Sequence, residues 1–114
     1  MTLNGTVANT YSGGTTINDG TVSLGTGGGV TSHQDALGTG SVSVNSGGEL
    51  RLWISNTGSY TIDNAFTLDG GTVHGEDGLY DLTGAMTLAA GGGTLSGKWS
   101  GKGITVSGTI SGTG

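Results

Sequence analysis

The densest set of chemically capable side chains is His74-Gly75-Glu76-Asp77, with Asp81 close behind. An imidazole and three carboxylates in one stretch are donor types that suit a metal ion. The same run also suits a solvated turn, because glycine and short polar residues favour exposed connections. His33 with Asp35 is a sparser pair of the same kind. Asn18-Asp19-Gly20 and Asp69-Gly70-Gly71 carry the aspartate and glycine of calcium-binding β-rolls. Those rolls need a tandem Gly-Gly-x-Gly-x-Asp-x-apolar-x repeat. The two sites stand singly, so neither calcium nor any other cofactor is expected.

Sugar hydrolysis needs two carboxylates at a defined separation. Glu49 and Asp69 both lie near a glycine turn and could stack on one outward face. One arginine and two lysines are a thin supply of charge stabilisers. Serine is abundant, but no Gly-x-Ser-x-Gly elbow sits between a strand and a helix. The chain therefore reads as non-catalytic. Trp53, Trp99, Tyr11, Tyr60 and Tyr80 are the aromatics that could stack on a sugar, and they could equally fill corners of a core. Trp53, Trp99 and Tyr60 are the ligand-facing candidates.

The elements that must position these residues are strands. In Leu37–Leu52, Val42 and Val44 alternate with Ser41 and Ser43. After Asn45-Ser46-Gly47-Gly48, Leu50 and Leu52 alternate with Glu49 and Arg51. Period-2 alternation bounded by Asn, Ser and Gly marks half-buried strands. No segment has a helical period. The same unit returns along the chain, marked by the apolar residue before each central turn: Ile17, Val44, Leu68, Leu88 and Val106. The steps are 27, 24, 20 and 18 residues. Both arms stay apolar in every copy, as expected when each arm stacks on its own kind. The predicted fold is an all-β parallel β-helix, a β-solenoid of about five coils forming one module over 1–114. An antiparallel meander or sandwich is the alternative, since Asp19-Gly20 and Asp69-Gly70 are also hairpin turns. Outward Thr and Ser are expected to form ladders. Gly25–Ala36, polar and rich in glycine, reads as an exposed loop. Tyr60-Thr61-Ile62 and Leu79-Tyr80-Asp81-Leu82 read as third strands.

Composition bounds the partners. Glycine is 27 of 114 residues, yet proline is absent and no Gly-x-y period exists, so collagen is excluded. The net charge of −5, with only Arg51, Lys98 and Lys102 basic, argues against nucleic acid. Cysteine is absent, which removes disulfides and thiolate metal sites. No stretch approaches the ~20 apolar residues of a membrane helix. The opening Met-Thr-Leu-Asn-Gly-Thr does not read as a signal peptide.

Asn9-Thr10-Tyr11-Ser12-Gly13-Gly14-Thr15-Thr16-Ile17-Asn18-Asp19-Gly20-Thr21-Val22, with Ala36-Leu37-Gly38-Thr39-Gly40-Ser41-Val42-Ser43-Val44, resembles the autotransporter-associated β-strand repeat. This is the passenger repeat of bacterial type V secreted and surface proteins. The match is close over Asn9–Val44 and looser towards Gly114. The resemblance implies a right-handed coil, an extracellular or cell-surface location, and a supporting role that holds adhesive parts away from the cell. It also implies that the chain is one higher-order repeat of a tandem array. Both ends are nearly uncharged alternating runs, as an end built to meet another copy would be. The expected partner is therefore a second copy stacked head to tail through Leu3, Val7, Ile17, Val22, Ile104, Val106 and Ile110. A glycan or host surface is the other candidate partner.

Overall fold

The computed structural model describes Met1–Gly114. The chain opens with β1 (Thr2–Leu3). A first coil follows with β2 (Thr15–Ile17) and β3 (Gly20–Leu24). The second holds β4 (Val42–Asn45), β5 (Gly48–Leu52) and β6 (Ser59–Ile62), and the third β7 (Phe66–Asp69), β8 (Gly71–Gly75) and β9 (Leu79–Leu82). The fourth has β10 (Met86–Leu88), β11 (Gly93–Gly97) and β12 (Gly103–Val106), and β13 (Ile110–Gly112) begins another. Three sheets result, ordered β1-β3-β5-β8-β11, β13-β10-β7-β4-β2 and β12-β9-β6. Every strand pair is parallel and joins successive coils. The fold is a parallel β-solenoid of about five turns, and the meander is set aside. Asp19-Gly20 and Asp69-Gly70 are corners between sheets, so the strands on either side of them do not pair.

Inward side chains stack in columns. Ile17, Val44, Leu68 and Leu88 make one, in the register the repeat marker predicts. Val42, Phe66, Met86 and Ile110 make the next. On the following sheet Val22, Leu50, Val73 and Leu95 align. The third sheet stacks Ile62, Leu82 and Val106, and beside them Tyr60, Tyr80 and Ile104. Sixteen buried apolar residues form the core this way. Outside, Thr16, Ser43, Thr67, Thr87 and Ser111 form the expected hydroxyl ladder.

Two expectations need correction. Val106 is not the fifth copy of the marker. It pairs with Leu82 on the third sheet, and the partner of Leu88 is Gly112. Alternation in Ile104-Thr105-Val106 suits any side of a coil, so period alone misplaces it. Gly25–Ala36 does not protrude as a whole. Gly5 donates to the Thr31 carbonyl at 3.0 Å, and the Thr31 amide donates to Ile54 at 2.9 Å, so the stretch forms the third side of its coil. Ser32 and Ala36 are buried, and Leu37 just beyond is completely so. Thr26 and the run Gly28–Val30 are the exposed parts of the stretch.

The two conspicuous sequence stretches lie on one another in successive coils. Asn9 Nδ2 donates to the Ala36 carbonyl at 2.8 Å, and the Thr39 amide donates to Tyr11 at 2.9 Å. A Cβ on Gly40 would lie 2.3 Å from the Gly14 nitrogen, so the contact requires glycine. From the next coil Asn64 Nδ2 donates to the carbonyls of Gly38 at 3.0 Å and Gly40 at 2.8 Å. This segment is thus tied by asparagines on both sides.

The corners at Gly48, Gly71 and Gly93 obey the same close approach, whereas a Cβ on Gly20, in the first coil, would meet nothing within 4 Å. Gly20, Gly48, Gly71 and Gly93 occupy equivalent corner positions. A Cβ on Gly71 would sit 2.4 Å from the Val44 oxygen and 2.5 Å from its Cγ1. Gly71→Ala is expected to cost about 1–3 kcal/mol by overpacking. Gly13→Ala, where nothing lies within 4 Å, should stay within about 0.5 kcal/mol. Urea unfolding followed by circular dichroism measures both, and equal midpoints would show that the corners can relax.

Candidate functional site

The outer face of the β5-β8-β11 sheet carries a pattern that the coil imposes. Counting from each corner glycine, the first outward position holds Glu49, Thr72 and Thr94, and the next holds Arg51, His74 and Ser96. The ladder continues past the strand ends, where the Trp53, Glu76 and Lys98 amides each donate to the coil before, at 2.9, 2.9 and 3.0 Å. Trp53, Glu76 and Lys98 therefore form the third outward row.

Glu76 is the hub of this face. Its carboxylate lies 3.5 Å from His74 Nε2, 3.8 Å from Arg51 Nε and 3.0 Å from Lys98 Nζ. It is nearly buried, and the two cations Arg51 and Lys98 make the buried charge tolerable. The Lys98 approach to Oε2 is off the hydrogen-bonding angle, yet at 3.0 Å the Coulomb attraction holds without it. Contact with Glu76 raises the Lys98 pKa above the ordinary lysine value. Arg51 also pairs with Glu49 at 2.8 Å, and His74 Nδ1 is 2.7 Å from Ser96 Oγ.

Both indoles close on Lys98. Its Nζ is 5.7 Å from the Trp53 ring centre and 5.4 Å from that of Trp99, within reach of a cation–π contact to each. Trp53 Nε1 donates to Asn56 Oδ1 at 3.1 Å, and Trp99 Nε1 donates to Asp77 Oδ1. Lys102 Nζ donates to the Asn56 carbonyl at 2.9 Å. Trp99 is 57% exposed, whereas Trp53 is half-buried.

Other predicted sites divide differently. Asp77 serves Trp99, and Asp81 sits on the third sheet, accepting from Ser107 Oγ at 2.8 Å. No three His, Asp or Glu side chains gather closely enough to hold an ion. His33 and Asp35 make a local pair at 3.5 Å. Asp69 Oδ1 accepts from Gly91 at 2.8 Å, and Asn18 Oδ1 accepts from Asn45 at 2.7 Å. Glu49 and Asp69 belong to different sheets, so they do not stack on one face. Tyr60 is no outward ligand residue. It shares the inward parity of Ile62, packs against the core and stacks on Tyr80, with ring centres 5.8 Å apart. A shallow groove of about 300 Å³ runs beside these tyrosines, lined also by Ser59, Thr61, Leu79, Asp81 and Thr105.

Of the end-coil residues, Leu3 and Val22 are half-buried at the first end, where Val7 is exposed. Ile104 and Val106 are half-buried at the other end, and Ile110 is exposed. Ile17 is closed over, only 3% accessible, and cannot meet another copy as expected of it. Sequence reasoning missed the joining of Arg51, His74, Glu76 and Lys98. The signal was available in their spacing from the corner glycines, equal for Arg51 and His74 and two residues longer for Glu76 and Lys98, which shows only once the corners are aligned.

Comparison with family models, with curated proteins and with solved structures finds no match.

Burial pushes the Tyr80 hydroxyl up from 10.0 to about 12, against the opposing pull of the Ile54 amide, which donates to it at 3.1 Å. Below pH 10 folded and unfolded chains both keep this proton, and its stabilisation is complete. Between pH 10 and 12 the unfolded chain releases the proton first, so stability falls as pH rises. Lys98, raised by Glu76, acts in the same direction at high pH. Urea midpoints should decline over this window, and Tyr80→Phe should flatten the decline while lowering stability at neutral pH. An unchanged slope in Tyr80→Phe would assign the effect elsewhere.

Proposed function

We propose that the chain is a non-catalytic structural solenoid module that stacks end to end with further copies into a fibre or stalk. The observation that carries this reading is where the apolar columns go. They run through the closed middle of the coil and reach solvent at its two ends. Leu95 and Ile110 are exposed at one end, and at the other Leu3 and Val22 are half-buried beside exposed Met1 and Val7, while Ile17 is closed over. At the first of these ends β11, β12 and β13 are edge strands, and at the other β1 and β2 are. Each edge offers an unpaired row of N–H and C=O groups, a template for another parallel strand. Apolar columns and open ladders both ask for the same partner, another coil. A head-to-tail contact of this kind does not close on itself, so it propagates.

The non-catalytic part rests on engagement. His74, Glu76 and Arg51 satisfy one another, and no pair of carboxylates faces a cleft. The setting, an extracellular or cell-surface bacterial protein, rests on the resemblance of Asn9–Val44 alone.

A second reading is a carbohydrate-binding module. It is favoured by the side face where Trp53 and Trp99 flank Lys98. The two readings use different surfaces and are separable.

Light scattering and electron microscopy over a concentration series test the first. Thin filaments with a ~4.8 Å axial repeat are expected. Ile104→Lys and Ile110→Lys place a charge on the end coil and should leave monomers. A wild-type chain that stays monomeric at high concentration, with both end coils protected from hydrogen exchange, would overturn stacking.

A further inference from the structure

We propose that the corner formed by Trp53, Trp99 and Lys102 binds an acidic saccharide, an oligomer of uronic acid residues. The inference rests on the carbohydrate reading and names its ligand class.

The distribution of charge comes first. The chain has eight acidic residues and only three basic ones. All three basic side chains meet at this corner. Arg51 and Lys98 converge on Glu76, and Lys102 reaches Asn56, which also holds Trp53. Nothing in solenoid stacking demands this, because the ladders elsewhere are built from Thr and Ser.

The three cations are not equivalent. Glu49 and Glu76 neutralise Arg51, and Glu76 neutralises Lys98. Lys102 has no carboxylate within ion-pair distance. Its ammonium is nevertheless held, since the Asn56 carbonyl accepts one of its three protons. Two protons remain for an anion.

Trp99 supplies the stacking surface. Asp77 fixes the indole through its N–H, and Lys98 lies over the ring. With more than half of the residue exposed, the indole still offers area to a ligand. Axial C–H groups of a pyranose are weakly positive and pack on the electron-rich face of an indole. Trp99 and Lys102 stand at the two ends of one tight turn, with the Lys102 amide donating to the Trp99 carbonyl at 3.1 Å. A sugar ring stacked on Trp99 therefore turns its edge towards Lys102, and in a uronic acid that edge bears a carboxylate. Beside the turn a groove of about 160 Å³ is lined by Thr57, Gly58, Asp77, Leu79, Gly101 and Lys102. It is too small for a drug-sized ligand and suits one sugar residue of a longer chain. Asp77, the only carboxylate there, has one oxygen taken by the Trp99 N–H. A phosphate backbone fits less well, because a single unpaired cation does not make a phosphate-tracking stripe.

The test compares oligogalacturonate with its methyl ester, which keeps the rings and removes the charge. Trp53 and Trp99 are the only tryptophans, so their fluorescence reports binding directly. Ile110→Lys serves as the background to hold the sample monomeric, since it lies at a coil end. The acid should bind about tenfold more tightly than the ester, as one charge-assisted hydrogen bond would give. Added salt should narrow that difference. Lys102→Gln should abolish the difference between acid and ester, and Trp99→Ala should abolish binding of both, with circular dichroism unaltered in each. Equal affinity for acid and ester, or tighter binding of the ester, overturns the acidic class and leaves the carbohydrate reading standing. Binding of neither saccharide overturns both. Filament formation is untouched by either result.

Discussion

The parallel backbone ladder between successive coils is the constraint on which the rest depends. Backbone pairs, most of them between coils, make up most of the chain's internal hydrogen bonding, 58 against 23 that involve a side chain or the terminal amine. The core is thin by comparison, since 28 of 114 residues are buried. A fold with so little interior cannot rely on a large hydrophobic centre. It relies instead on each coil satisfying the backbone and the apolar face of the coil before it. Stability then adds coil by coil, as in other one-dimensional architectures.

That ladder explains why glycine is so frequent. Where two coils touch at a corner, backbone meets backbone and no Cβ fits. Gly40 on Gly14 and Gly71 on Val44 show the two kinds of contact. Side-chain ties then lock what the ladder has aligned. Asn9 and Asn64 grip the Ala36–Gly40 segment from opposite sides. The same ladder leaves the coil ends unsatisfied while it satisfies the middle, and the proposed stacking draws on those ends.

The walls are free for other work. Outward positions need only tolerate a strand, and Thr and Ser do so over most of the surface. One wall departs from that rule, with Arg51, His74, Glu76 and Lys98 stacked beside two indoles. Charges there are compensated locally, so the wall costs the fold little. The chain carries a net charge of −5, and Lys102 is the one basic side chain without a carboxylate partner.

Much of the architecture was legible from residues alone. Alternation fixes which side chains of a strand face inward, and it does so locally, through the pleat. Ile17, Val44, Leu68 and Leu88 were therefore aligned correctly from their turns, and Tyr60 shares the parity of Ile62. What a local period cannot state is which strand lies beside which. That depends on connections whose lengths vary from coil to coil, and it misplaced Val106, Glu49 with Asp69, and the path of Gly25–Ala36. Nor could it bring Lys98 to Glu76 and Trp53, since these residues meet across coils 22 or more positions apart. The sequence by itself determined alternating strands with inward apolar faces, glycine turns and a repeating unit, because those follow from neighbours along the chain. Only the tertiary structure decided the composition of the charged aromatic wall, because register between coils is set by non-local hydrogen bonds.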